Sequence, residues 1–120
     1  MQNPVKLAKG EEEQLFDAQM LYDMVDEEIE FRDVGVNNSS LVPGGELPLD
    51  AHDDKLEIVT PIALGETEGP VAVYTDGEGG YEIELASYDS IVVPRGVRHT
   101  ARNVCDTTVI LYITNFRYND

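Results

Sequence analysis

From residue 29 onward, short runs rich in Val, Ile, Thr and Tyr alternate with clusters of Gly, Pro, Asp and Asn. This punctuation constrains the fold more than any other feature. β-Branched and aromatic residues suit a pleated, half-buried surface, and the clusters between them are turn formers. The runs span 29–34, 39–42, 56–64, 71–75, 81–85, 90–93, 99–103 and 108–114. Turn signals separate them at Asn37-Asn38, Pro43-Gly44-Gly45, 65–69, 76–80 and Pro94-Arg95-Gly96. Many short strands at close spacing predict an all-β sandwich or barrel. Asp76 and the glycines after it lack the regular acidic spacing of a calcium loop, so they read as a hairpin turn.

Residues 1–33 follow a different grammar. They hold ten of the 24 acidic residues, including the run Glu11-Glu12-Glu13. Leu15, Ala18, Leu21 and Val25 recur at spacings of three and four, which predicts one apolar helix face, with an extended arm as the alternative. The expected organisation is an acidic segment over 1–33, packed on the barrel or on a partner, and a barrel over 34–120. The chain's 120 residues suit one domain.

Eight basic residues against 24 acidic ones give a net charge of −16. Phosphate contacts and anionic membranes both need a cationic face, so neither a nucleic acid nor a membrane surface is an expected partner. High negative charge attracts cations instead. The single Cys105 excludes an internal disulfide and any Cys-based zinc cluster, and it is expected to be incidental. No apolar stretch approaches the length of a membrane span or a secretory signal, which leads to the expectation of a cytoplasmic protein.

The chain's two histidines stand in informative places. His99 follows the turn Pro94-Arg95-Gly96 and opens a strand-like run. His52 lies in Asp50-Ala51-His52, with Glu57 five residues on. Residues at i and i+2 on a strand share a face, so Asp50 and His52 are placed to face one cavity. A barrel would close around that cavity and bring His99 to it from a distant strand.

These residues resemble the two motifs of the cupin superfamily. Tyr88, Pro94, Gly96, His99 and Asn103 follow the spacing of the second motif, with Tyr88 where that motif has glycine. Gly44, Asp50, His52, Glu57 and Gly65 follow the first, with Asp50 where the family has a histidine and Gly65 one residue late. The resemblance covers about residues 35–115. It implies a double-stranded β-helix barrel with a short N-terminal arm.

The resemblance also implies a divalent metal held by His52, His99, Glu57 and Asp50, with His99 and Glu57 at the centre of the chemistry. Imidazole and carboxylate donors suit Fe, Mn, Ni, Co or Zn without choosing among them. Asp is shorter than His, so Asp50 would approach such a metal through water or not at all. Arg98 and Arg102 flank His99 and are candidates to clamp a substrate anion, the alternative being surface pairing with the abundant acids. Tyr74 and Tyr112 are candidate pocket residues.

The expected function is a metal-binding enzyme acting on a small polar substrate, an anionic one included, by dioxygenation, decarboxylation, elimination or isomerisation. Two alternatives stay open. One is a non-catalytic ligand-binding or sensing module with a weakened metal site. The other is metal-free acid–base catalysis, with His99 as base and a tyrosine or Glu57 as acid. A homodimer is the expected assembly, as the resemblance implies.

Overall fold

The structure, a computed structural model, describes residues 3–7 and 31–119. The helix expected from Leu15, Ala18, Leu21 and Val25 lies outside the described residues. Among the described residues, eight strands follow in order: β1 (Val5–Leu7), β2 (Phe31–Leu41), β3 (Lys55–Ala63), β4 (Ala72–Thr75), β5 (Glu82–Leu85), β6 (Ser90–Val93), β7 (Thr100–Asn103) and β8 (Val109–Tyr118). They form two antiparallel sheets, one ordered β1-β6-β3-β8-β2 and the other β5-β4-β7. The all-β reading therefore holds.

Three boundaries differ from the sequence expectation, among them the end of β8, which runs to Tyr118 rather than to residue 114. The runs 29–34 and 39–42 join into one strand of 11 residues, and Asn37-Asn38 is strand rather than turn. Asn37 pairs with Ile113 and Asn38 with Tyr112 across β8, so the ladder passes straight through the amides. An asparagine pair marks a turn only when no partner strand takes its backbone groups. At the N-terminus, Val5, Lys6 and Leu7 pair with Val92, Ile91 and Ser90, so part of the expected arm is a strand of the larger sheet.

Alternation along β3 and β8 sets the interior. Val59 on β3 and Val109, Leu111 and Ile113 on β8 join Tyr74, Leu85, Ile91, Val93 and Ala101 in the core between the sheets. Leu111 has no solvent exposure, and truncating such a residue to Ala costs about 2–5 kcal/mol. The opposite face of the larger sheet carries Leu56, Val92 and Tyr118, against which Val5, Leu7, Ile58 and Phe116 pack.

The turn between β4 and β5 is a hairpin, as expected. Asp76 Oδ1 accepts hydrogen bonds from the backbone N–H groups of Glu78 and Gly80, and these hold its carboxyl below the usual range. The second-motif Asn103 proves to be a staple. Its Nδ2 donates to the carbonyls of Leu41 and Thr107, both at 2.8 Å, and its Oδ1 accepts from Cys105 N–H. Cys105 itself sits half-buried, with Sγ 3.4 Å from the Thr107 carbonyl.

Candidate metal centre

Two loops and one strand build the site. Glu57 lies on β3 opposite Val93 of β6 and Asn115 of β8, on the face that carries Val59 into the core. His52 precedes β3, and the bend at Asp53-Asp54 lets a residue five positions before Glu57 reach it from the loop. His99 leaves the turn after β6, where Gly96 adopts φ +77°, a conformation that favours glycine. The backbone ties the segments together. Gly96 N–H donates to the His52 carbonyl at 2.8 Å. Asp50 and His99 exchange two N–H···O bonds, of 3.0 and 2.8 Å.

The result is a convergence of three side chains. One ligand atom each from His52, Glu57 and His99 lies within 4.8 Å of the others. His52 Nε2 is 2.8 Å from Glu57 Oε1, and His99 Nε2 is 3.6 Å from the same oxygen. The imidazole rings stand 5.2 Å apart and tilted by 54°. His99 Nδ1 lies 3.0 Å from the Val97 carbonyl, which takes an N–H there and leaves Nε2 with a free lone pair directed at Glu57. The Tyr74 ring stacks on His99 at 6.3 Å and closes the site from the core side. Burial raises the Tyr74 phenol well above its ordinary pKa, and the nearby Glu57 charge and Tyr81 add to that, so this wall stays neutral.

The donor set fits a divalent cation. Glu57 is buried, and its Oε1 has no hydrogen-bond partner among the described residues. A buried carboxylate oxygen without a donor is costly unless a positive centre compensates it. Two imidazole nitrogens aimed at that same oxygen give an N,N,O set of the facial kind used by non-haem metal centres.

Of the other sequence candidates, Tyr74 joins the site and four do not. The Asp50 carboxylate is largely exposed. Its Oδ1 accepts from Ala51 N–H and its Oδ2 lies 3.9 Å from His52 Nδ1, the side of the ring turned away from Glu57. The paired backbone of Asp50 and His99 explains why the first-motif position is retained in space while its side chain is not in the cluster. Arg98 points outward and donates to Glu78 Oε1 at 3.0 Å, both being exposed. Arg102 is exposed between the buried Ala101 and Asn103, so strand alternation turns it outward. Tyr112 is exposed on β8 between the buried Leu111 and Ile113. The surface pairing is thus seen at Arg98, while Arg102 simply faces outward.

One residue escaped the sequence reading. Asn115 is buried and opposite Glu57 in the β3–β8 ladder. Its signal was present in the sequence: the alternate positions Val109, Leu111, Ile113 and Asn115 put one amide on an otherwise aliphatic face.

No family model matches the chain, and no curated protein matches it. Solved structures do. The cupin domain of Schizosaccharomyces pombe Cnp3 superposes with a TM-score of 0.59 at 17% identity, over 73% of this chain and 55% of that one. A cupin domain from Bordetella pertussis Tohama I gives 0.52 at 27% identity, over 75% and 86%. An oxalate oxidase in complex with the substrate analogue glycolate gives 0.57 at 22% identity, over 70% and 42%. The chain thus spans about half the length of the Cnp3 domain and less than half of the oxidase. The chain thus has the fold of these cupin domains, a double-stranded β-helix of two antiparallel sheets.

Proposed function

We propose that this cupin binds one divalent metal through His52, Glu57 and His99 and acts as an enzyme on a small polar substrate. The convergence of three ligand atoms within 4.8 Å is the observation that carries this reading. The bound metal would supply Lewis-acid or redox chemistry. The chain's own residues orient and insulate the site. Val97 fixes the His99 tautomer, Tyr74 excludes water from the core side, and half-exposed His52 marks the side from which substrate enters. The oxalate oxidase neighbour, with its glycolate, supports a small carboxylate as the substrate class, as an analogy of fold. Since Arg98 and Arg102 point away, an anionic substrate would be held by the metal rather than by an arginine clamp.

A thermal-shift series tests the metal. A ligand that binds only the folded state at 100 times its Kd stabilises by about 2.7 kcal/mol. Mn, Ni or Zn should therefore raise the Tm of the wild type by several degrees, and should leave His99→Ala unmoved. Equal shifts in the two proteins would refute the assignment.

The exposed position of Asp50 favours a second reading, a non-catalytic ligand-binding module whose metal set is one residue short. Full ligand affinity in a folded His99→Ala variant would favour it over the enzyme. In both readings the assembly is a homodimer. β2 lies at the edge of the larger sheet as described, and its Val34 and Val36 are 57% and 75% exposed.

A further inference from the structure

The inward face of β8 ends in a polar group with an unused acceptor. Asn115 is 5% exposed and pairs with Glu57 on one side and Gly35 on the other. Side chains directly opposite in an antiparallel ladder share a face, with Cβ atoms roughly 4.5–5.5 Å apart. The Asn115 amide therefore stands beside the Glu57 carboxylate inside the barrel. Asn115 Nδ2 donates to Asn37 Oδ1 at 2.7 Å, which anchors one end of the amide. Asn115 Oδ1 is buried, and no donor among the described residues reaches it. On the β2 side the neighbour is Gly35, where an added Cβ would meet only Arg117 Nη1, at 3.8 Å.

Buried amide oxygens are almost always paired, so one left open beside a candidate metal ligand has a use to be explained. Two open acceptors, Glu57 Oε1 and Asn115 Oδ1, occupy neighbouring inward positions. The first suits a cation and the second, being neutral, suits a hydroxyl donor. We propose that Asn115 Oδ1 accepts a hydrogen bond from a hydroxyl of the substrate, so that the substrate is a small 2-hydroxy acid rather than a plain carboxylate. Asn37 is the positioning residue that holds the amide in place. This inference rests on the metal reading above, because the substrate's carboxylate is placed at the metal.

Glycolate and acetate differ by one hydroxyl and make the test. Their affinities for the Mn-loaded chain are measured by isothermal titration calorimetry, with metal content determined on each sample. A net hydrogen bond predicts that the wild type prefers glycolate by about 5- to 10-fold. Asn115→Leu should bind acetate as before and lose the preference. Asn115→Asp, which keeps an acceptor, should retain it, and Asn37→Ala should weaken it in part. If Asn115→Leu fails to fold by circular dichroism, Asn115→Ala carries the same comparison. A full preference surviving either truncation, or a metal-loaded wild type that binds both acids equally, overturns the hydroxyl acceptor alone. A wild type that takes up no metal overturns the metal reading and this inference with it.

Discussion

Nε2 of His52 and Oε1 of Glu57 approach to 2.8 Å, yet that oxygen receives no hydrogen bond from the described residues. Close approach without hydrogen-bond alignment is the arrangement of two ligands turned toward a common third point. Removing one of them should cost most of the binding. Even residues that merely support ligands change metal affinity by about 10–100-fold, so Glu57→Ala and His99→Ala should each lose roughly 100-fold or more. Competition against a chromophoric chelator measures this, and a loss under tenfold would remove the residue from the ligand set.

Asp50 should behave differently. Its carboxylate faces His52 Nδ1 at 3.9 Å rather than the cluster. Asp50→Ala should therefore lower metal affinity by about tenfold, the low end for a group that only orients a ligand. A loss as large as that of His99→Ala would show that Asp50 binds the metal directly.

Tyr88 is exposed and adopts φ +72°, a left-handed conformation costly for a side chain with a Cβ. The cost is roughly 1–2 kcal/mol, partly offset by the extra entropy glycine loses on folding. Tyr88→Gly should raise stability by about 0.5–1 kcal/mol in urea unfolding. Unchanged or lower stability would show that the Tyr88 ring makes a contact worth the strain.

Much of this was legible in the sequence, for physical reasons. Turn formers between β-branched runs located most strands, because backbone groups outside a ladder need those residues. His52, Glu57 and His99 were legible by spacing, although Glu57 is out of alternation with His52 and needs the intervening bend. Side-chain direction was less legible. Asp50 keeps its backbone place against His99 while its carboxylate turns to solvent, and nothing in the local sequence reports that. Closeness to His99 makes Arg98 and Arg102 candidates beside the alternative of surface pairing, and alternation about the buried Ala101 and Asn103 turns Arg102 out. Asn37 reads as a turn because its cross-strand partner, Ile113, lies on a strand far along the chain.

Alkaline pH should weaken the fold through Tyr81. Its hydroxyl donates to the Arg98 carbonyl at 2.7 Å, and burial, with the Asp76 charge adding to it, pushes its pKa up to about 12 from 10.0. A folded pKa above the unfolded one means that this contribution is fully present below pH 10 and is lost as pH rises from about 10 to 12. Tyr81→Phe should be less stable at pH 8 and show a shallower decline above pH 10. Parallel pH–stability curves for the two proteins would contradict this.

The proposed homodimer has a simple check. Multi-angle light scattering should give about twice the chain mass of 13.3 kDa, and Val36→Lys should reduce it if the β2 edge is the contact. A wild-type mass near 13.3 kDa at working concentration would exclude the dimer.

Metal content tests the central claim most directly. Protein purified without added metal, then incubated with Fe, Mn, Ni or Zn and desalted, is analysed by inductively coupled plasma mass spectrometry. The geometry predicts about one metal per chain in the wild type and almost none in His99→Ala, since the set of donors closes around one cation. Less than about a tenth of an equivalent in the wild type, unchanged by every metal, would contradict it.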